Sequence, residues 1–244
     1  MLEVTKLKKG DYGLDAPAAV AGYLILGALF AIFGVAFCKK YYYAGWLINL
    51  GILFILIGLY MVYGSKIGKY KMRDKIIENL SVKGNEIALD VGCGRGLMLN
   101  GVASKITSGK VYGVDIWNEK DESGNSRDAL MKNAEIEGTK SKIEVVNSDM
   151  RNLPFEDGYF DLIVSSLAVH NIKGEQDREK ALFEMARVTK SGGRIALLDL
   201  AHINDYAAAL KSKGFVIDKI SGDKFRIFPP VKVLYATKKE LSVR

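Results

Sequence analysis

Cysteine is scarce in this chain of 244 residues: only Cys38 and Cys93 occur, in unrelated contexts. Two such thiols point away from a disulfide framework and from a zinc site, and they fit a reducing compartment. Histidine is equally scarce, with His170 and His202 alone, and no metal centre is expected. Charge is missing altogether from two long stretches, Pro17 to Cys38 and Ala44 to Ser65. Outside them the chain reads as an ordinary soluble mixture of charged and apolar residues. The net charge of +7 is compatible with nucleic acid, an anionic membrane surface or simple solubility. Where the basic residues lie therefore matters more than their sum.

Each uncharged stretch is long enough to cross a hydrocarbon core at about 1.5 Å per residue. Asp15 is placed to cap the first helix and Pro17 fits its first turn. Only a short connection through Lys39-Lys40-Tyr41-Tyr42-Tyr43 separates the two, which forces them antiparallel. The pattern predicts a transmembrane hairpin within residues 1–65, with spans near 17–38 and 46–63. A cleaved signal peptide would have a shorter apolar core and no second span. Lys6, Lys8 and Lys9 precede the first span and Lys66, Lys69, Lys71 and Arg73 follow the second, against Lys39 and Lys40 in the turn. That asymmetry places both termini and the remaining domain in the cytoplasm. Tyr41, Tyr42, Tyr43 and Trp46 form the expected outer aromatic belt, and Tyr60 and Tyr63 the inner one. Small residues at Ala18 and Gly22, Gly27 and Ala31, and Gly51 and Gly58 offer close-approach faces, for packing within the hairpin or against a second copy.

From Gly64 to Leu80 the periodicity predicts a helix with Lys66, Lys69 and Arg73 on one face, suited either to anionic headgroups or to a solvated surface. Its place beside a span argues against nucleic acid. From Asn85 onward apolar strands alternate with helical stretches, the pattern of an α/β domain with a parallel sheet over residues 66–244. The expected strands are 87–91, 110–115, 143–147, 160–165, 194–200, 216–221 and 231–237, with helices such as 126–137 and 177–189 between them.

Ile87 to Gly96 reads as a strand ending in Asp90, followed by glycines at 92, 94 and 96 and a helix start at Leu97. A dinucleotide fingerprint would need its third glycine at position 97, and Asp90 would set an anion beside a pyrophosphate. The loop instead suits a ligand with a cationic end and no phosphates, such as S-adenosylmethionine. Asp90 to Gly96 resembles the first motif, Asp-x-Gly-x-Gly-x-Gly, of the class I (Rossmann-like) S-adenosylmethionine-dependent methyltransferases. Leu153 to Val164 is similar to the stretch leading into their fourth strand, and Ser191-Gly192-Gly193-Arg194 to the turn before their fifth. The resemblance covers residues from about Asp74 onward and leaves the hairpin outside it. It implies a seven-stranded, mostly parallel sheet with helices on both faces, the last strand antiparallel beside the fifth.

Ligands of open α/β sheets sit beyond the carboxyl ends of the strands. The resemblance implies cofactor contacts from Asp90, Gly92, Cys93, Gly94, Gly96, Asp115, Ile116, Trp117, Asp149, Met150 and Ser165. Asp115 would take the ribose hydroxyls, Trp117 and Met150 would pack on the adenine, and Asp149 would accept from its amine. Methyl transfer from a sulfonium is an in-line displacement that needs alignment, and a base only where the acceptor loses a proton. His170 and His202 follow the fourth and fifth strands, which makes both candidate catalytic groups, with Asn171 and Asp199 as orienting neighbours. Ser165-Ser166-Leu167-Ala168 is not the Asn/Asp-Pro-Pro-aromatic motif of amino-methylating nucleic-acid enzymes, and Cys93 alone cannot supply the thiols of arsenite methylation. The expected protein is a membrane-bound methyltransferase of a lipophilic acceptor. The alternatives are a membrane-anchored methyltransferase of a protein or soluble molecule, and a non-catalytic cofactor-binding membrane module. Residues Tyr12 to Asp15 are a candidate lid over the site.

Overall fold

The computed structural model describes residues 9–117 and 124–240; Lys6 and Lys8 lie outside them. The sheet has seven strands: β1 (Ile87–Val91), β2 (Lys110–Asp115), β3 (Ile143–Asn147), β4 (Phe160–Ser166), β5 (Thr189–Asp199), β6 (Phe215–Asp223) and β7 (Val231–Lys238). Their order is β3-β2-β1-β4-β5-β7-β6, with β7 antiparallel to both of its neighbours and the remaining pairs parallel. β5 begins at Thr189 rather than Arg194, so the expected turn at Ser191–Arg194 lies inside the strand, where its register with β4 shifts between Phe160 and Leu162.

Among the described residues there are seven α-helices: α1 (Pro17–Phe37), α2 (Gly45–Tyr63), α3 (Lys69–Leu80), α4 (Leu97–Ala103), α5 (Arg127–Ile136), α6 (Glu175–Val188) and α7 (Ile203–Ser212). Because strand side chains alternate between faces, neighbouring residues of one strand feed two separate cores. Ala88, Val111, Leu162 and Leu198 pack under α3, α4 and α5. Leu89, Val114, Ile163 and Leu197 pack under α6 and α7. Both faces are thereby covered, as a parallel sheet requires.

α1 and α2 lie outside those cores and pack on each other. A Cβ on Gly27 would stand 2.8 Å from the Gly51 carbonyl, one on Gly34 2.8 Å from the Ile48 nitrogen, and one on Gly58 2.8 Å from Leu24. The falling partner numbers are those of an antiparallel pair, and only glycine permits such close backbones. Gly27, Ala31, Gly51 and Gly58 are thus used within the hairpin, whereas a Cβ added at Gly22 would meet nothing within 4 Å. Ile32, Val35, Leu53 and Leu56 stay exposed on its outer surface. By length and composition both helices could cross a membrane.

α2 does not end in a loop. A π-helical turn, Gly64–Gly68, carries it directly into α3. The expected basic face of α3 turns inward: Lys69 and Arg73 are buried. Lys69 pairs with Asp15 at 3.0 Å and Arg73 with Glu137 at 3.3 Å, while Lys66 reaches Asp11 at 3.1 Å. Lys69 and Arg73 are thus turned to carboxylates of the same chain and not to headgroups or solvent, whereas Lys66 stays half exposed. Asp15 likewise does not cap α1. The residue before the helix is Ala16, with φ 45° and no side-chain cap, because the Asp15 carboxylate serves Lys69 and Ser65.

Candidate functional site

A cavity of about 640 Å³ lies at the carboxyl ends of β1, β2, β4 and β5. Asp90, Gly92, Cys93, Gly94, Asp115, Ile116, Asp149, Met150 and His170 line it. The glycine loop forms its floor. At Gly92 φ is 71°, and an added Cβ would collide with the Ala168 side chain, so only glycine keeps this passage open.

Asp90 is 1 % exposed, and its Oδ1 has no hydrogen-bond partner. Its other oxygen accepts from the Leu99 backbone at 2.8 Å. Burial, with Asp115 nearby, pushes the Asp90 carboxyl up to about 8. A buried carboxyl with an open oxygen on a cavity wall fits a cationic ligand group. Asp115 ties the loop to the sheet, accepting from Gly94 N at 2.7 Å and Trp117 N at 2.6 Å. Asp149 is held by Arg151 at 2.6 Å, which keeps its carboxyl below the usual range. Arg151 also pairs with Asp177 at 2.7 Å.

Four of the expected site residues do not line this cavity. Trp117, at φ 46°, packs against the core under α3, α4 and α5. Ser165 points away, its hydroxyl donating to the Val91 carbonyl at 2.7 Å, and Ser166 takes its place on the wall. Gly96 opens α4, where a Cβ would meet Asn100 and Leu130. His202 heads α7 with its Nδ1 3.2 Å from Asp205. The two histidines are therefore not equivalent. His170 Nδ1 lies 2.6 Å from Asp199 Oδ1, and Asp199 is 2 % exposed. The His170 backbone and the Tyr206 hydroxyl both donate to Asp199 Oδ2 at 3.1 Å. Burial and Asp199 raise the Tyr206 phenol, which keeps it a donor.

The roof comes from segments the strand ends did not point to. Tyr12 is 1 % exposed on the cavity wall. Its hydroxyl donates to Glu137 at 2.8 Å and accepts from Asn100 at 3.2 Å. Asn133 bridges the Asp11 carbonyl, at 2.9 Å, to the Arg95 carbonyl of the glycine loop, at 3.0 Å. Residues 10–15 thus form a strap tied to that loop. Met61, Gly64 and Ser65 at the foot of α2 line the same cavity, as do Ile227, Phe228 and Pro229 before β7. The antiparallel last strand is what brings its leading loop to this edge: Val231 follows the loop, and the adjoining Lys232 pairs with Asp199.

Residues 89–197 match a family model described as a methyltransferase domain. Sterol 4-C-methyltransferase strm-1 of Caenorhabditis elegans is 33% identical over 131 residues, covering 54% of this chain and 36% of that protein. A demethylmenaquinone methyltransferase of Staphylococcus aureus is 31% identical over 128 residues, covering 52% of this chain and 48% of that protein. The chain thus spans half or less of the length of these relatives. Among solved structures, the [4+2]-cyclase SpnF superposes with a TM-score of 0.60 at 16% identity, over 70% of this chain and 81% of that one. A geranyl diphosphate methyltransferase in complex with S-adenosylmethionine gives 0.56 at 13% identity, over 69% and 85%.

Proposed function

We infer, from a methyltransferase domain on the class I S-adenosylmethionine-dependent fold, that this protein methylates a lipophilic acceptor drawn from a membrane in which α1 and α2 are embedded. The domain match and the fold carry the methyltransferase assignment and the cofactor. One observation carries the acceptor: a single cavity runs from the glycine loop to the foot of the apolar hairpin. The sterol and demethylmenaquinone acceptors in the relatives' names agree with it. The outer surface of α1 and α2 is apolar and uncovered, which fits hydrocarbon and not water. The basic flanks of the two runs support a cytoplasmic position for the domain.

When bound, S-adenosylmethionine supplies an electrophilic methyl group on a sulfonium. Asp90, in its ionised form, would receive the ammonium of the ligand, and Asp115 and Asp149 would help to hold the rest of it. Met150 and Ile116 add apolar contact. On the acceptor side Leu198, Leu200, Ile227 and Val231 give an apolar wall around His170. His170 takes the proton that the acceptor loses, and Asp199 balances the resulting imidazolium. Lys69, Arg73 and Arg151 on the wall are each matched by a carboxylate.

The test is incubation of detergent-purified protein with methyl-labelled S-adenosylmethionine and a total membrane extract, followed by separation into lipid, protein and aqueous fractions. Label is expected in the lipid fraction and is lost with Asp90→Ala. His170→Gln is expected to slow it about a hundredfold, and His202→Gln to leave it unchanged. Label confined to the protein or aqueous fractions overturns the lipophilic acceptor. An unaltered rate for His170→Gln removes the base role alone.

A further inference from the structure

The loop between β6 and β7 carries an apolar tip with no function in the site. Phe225 is 79 % exposed, the most exposed phenylalanine of the domain, and follows the exposed Lys224. The tip is built, not slack. Asp223, 5 % exposed, accepts from the Phe225 backbone at 3.1 Å and the Arg226 backbone at 2.9 Å, and it also binds the Arg226 guanidinium. Lys75 adds a cation 3.7 Å away. A rigid turn that pushes a phenylalanine outward loses free energy in water.

The tip's position supplies the reason. Tyr60 lies in the last turn of α2, and its hydroxyl donates to the Lys224 carbonyl at 3.4 Å. Its ring centroid is 6.1 Å from that of Phe228. Below it, Gly64 and Gly68 press against the backbone of residues 226–228, and Gly68 has no room for a Cβ beside the Arg226 carbonyl. The tip therefore stands level with the end of the apolar helix, at the depth where headgroups meet acyl chains, and it continues the uncovered apolar surface of α2. Lysine beside phenylalanine suits that depth, with the ring in the acyl boundary and the ammonium among headgroups.

Resting on the reading that α1 and α2 span a bilayer, we propose that residues 224–226 are a second membrane contact, docking the loop on the bilayer surface. Ile227, Phe228 and Pro229 of the same loop line the cavity. The contact thus holds the rim of the acceptor chamber at the interface, where a bilayer-dissolved acceptor leaves the lipid.

The experiment uses the full chain in nanodiscs of phosphatidylcholine and phosphatidylglycerol, with Cys38→Ser as background; Cys93 is buried, and the background protein carried through the labelling reaction is the blank for it. A nitroxide is attached at Phe225→Cys, at Phe33→Cys on the outer surface of α1, and at Val216→Cys on the exposed edge of β6. Val216 is roughly 23 Å from the loop, at about 3.3 Å per strand residue. Relaxation by oxygen is compared with relaxation by a water-soluble nickel chelate. The label at 225 is expected to behave like that at 33, relaxed more by oxygen, while 216 is relaxed more by nickel. A label at 225 that matches 216 while 33 reads lipid overturns the docking proposal alone. Nickel dominance at 33 as well overturns the hairpin reading and this proposal together.

Discussion

At the scale of the residue, the role proposed for Asp90 would couple the cofactor site to pH. In the ligand-free fold its carboxyl stays protonated up to about 8, against 3.8 for the unperturbed group. Because the folded value is raised, the contribution of this group to stability is complete below about pH 4 and is lost as pH rises through 8. Binding an ammonium beside it demands the carboxylate, so one proton leaves on binding. Affinity for S-adenosylmethionine should then rise with pH, by up to about tenfold per unit between about pH 5.5 and about pH 7. Above that the ligand's own amine begins to lose its proton. Isothermal titration across this window checks the slope and the released proton, and Asp90→Asn should flatten both. A wild-type affinity that is flat in pH would mean Asp90 does not face the ammonium. Asp90, Asp115 and Asp149 were legible in the sequence because carboxylates at strand ends must lie at the ligand edge of a parallel sheet. The miss at Ser165 has the same physical root: alternation sends Ser166 to the cavity and Ser165 to the Val91 carbonyl. His170 and His202 both follow strands, but His202 sits at φ 61° on the head of α7. No spacing rule reads that turn.

Among the elements, Tyr12 to Asp15 were expected as a lid, and Tyr12 and Asp15 do line the cavity, but what holds the strap of residues 10–15 in place was not legible. Its partners Asn100, Asn133 and Glu137 are far along the chain, in α4 and at the end of α5, and nothing local announces them. Glu137 is the hub, accepting from Gly10 N at 3.0 Å and from the Tyr12 hydroxyl at 2.8 Å while it pairs with Arg73. Burial and Glu137 together raise the Tyr12 phenol, so it remains a donor across the physiological range. Tyr12→Phe keeps the ring and removes that donor, a loss of about 1.5–3 kcal/mol for a hydrogen bond to a charged group. If strap opening limits ligand exit, the dissociation rate of S-adenosylmethionine should rise about tenfold, the rate equivalent of about 1.4 kcal/mol. Stopped-flow displacement measures this directly. An unchanged exit rate with a lowered melting temperature would make the strap a structural tie with no part in ligand retention. The basic face of α3 was misread for a related reason. Periodicity shows that Lys66, Lys69 and Arg73 share a face, but not that the strap and Glu137 cover it.

For the whole molecule, the hairpin and the domain are joined as one mechanical piece. α2 runs through a π turn into α3 without a linker, the strap enters α1 directly, and the β6–β7 loop is clasped by Tyr60 and Gly68. The sequence showed two uncharged runs and a domain but not this joint, because its glycines act by letting backbones touch, which leaves no periodic mark. A tether and a rigid joint predict different outcomes. Ten flexible residues inserted both before Pro17 and before Gly64 would let the domain wander about 17 Å, at 5–6 Å times the square root of the linker length. That distance hardly lowers the effective concentration of a bilayer acceptor, so a mere anchor would keep its activity. A joint that sets the cavity rim at the interface would not. The expected result in nanodiscs is transfer to lipid reduced by more than about tenfold, about 1.4 kcal/mol in the barrier, with cofactor affinity unchanged. Of the cavity-lining residues at this junction, Asp15, Ala16, Gly64 and Ser65 stay on the domain side of the insertions, and Met61 alone does not. Full activity with the linkers in place would reduce the hairpin to an anchor.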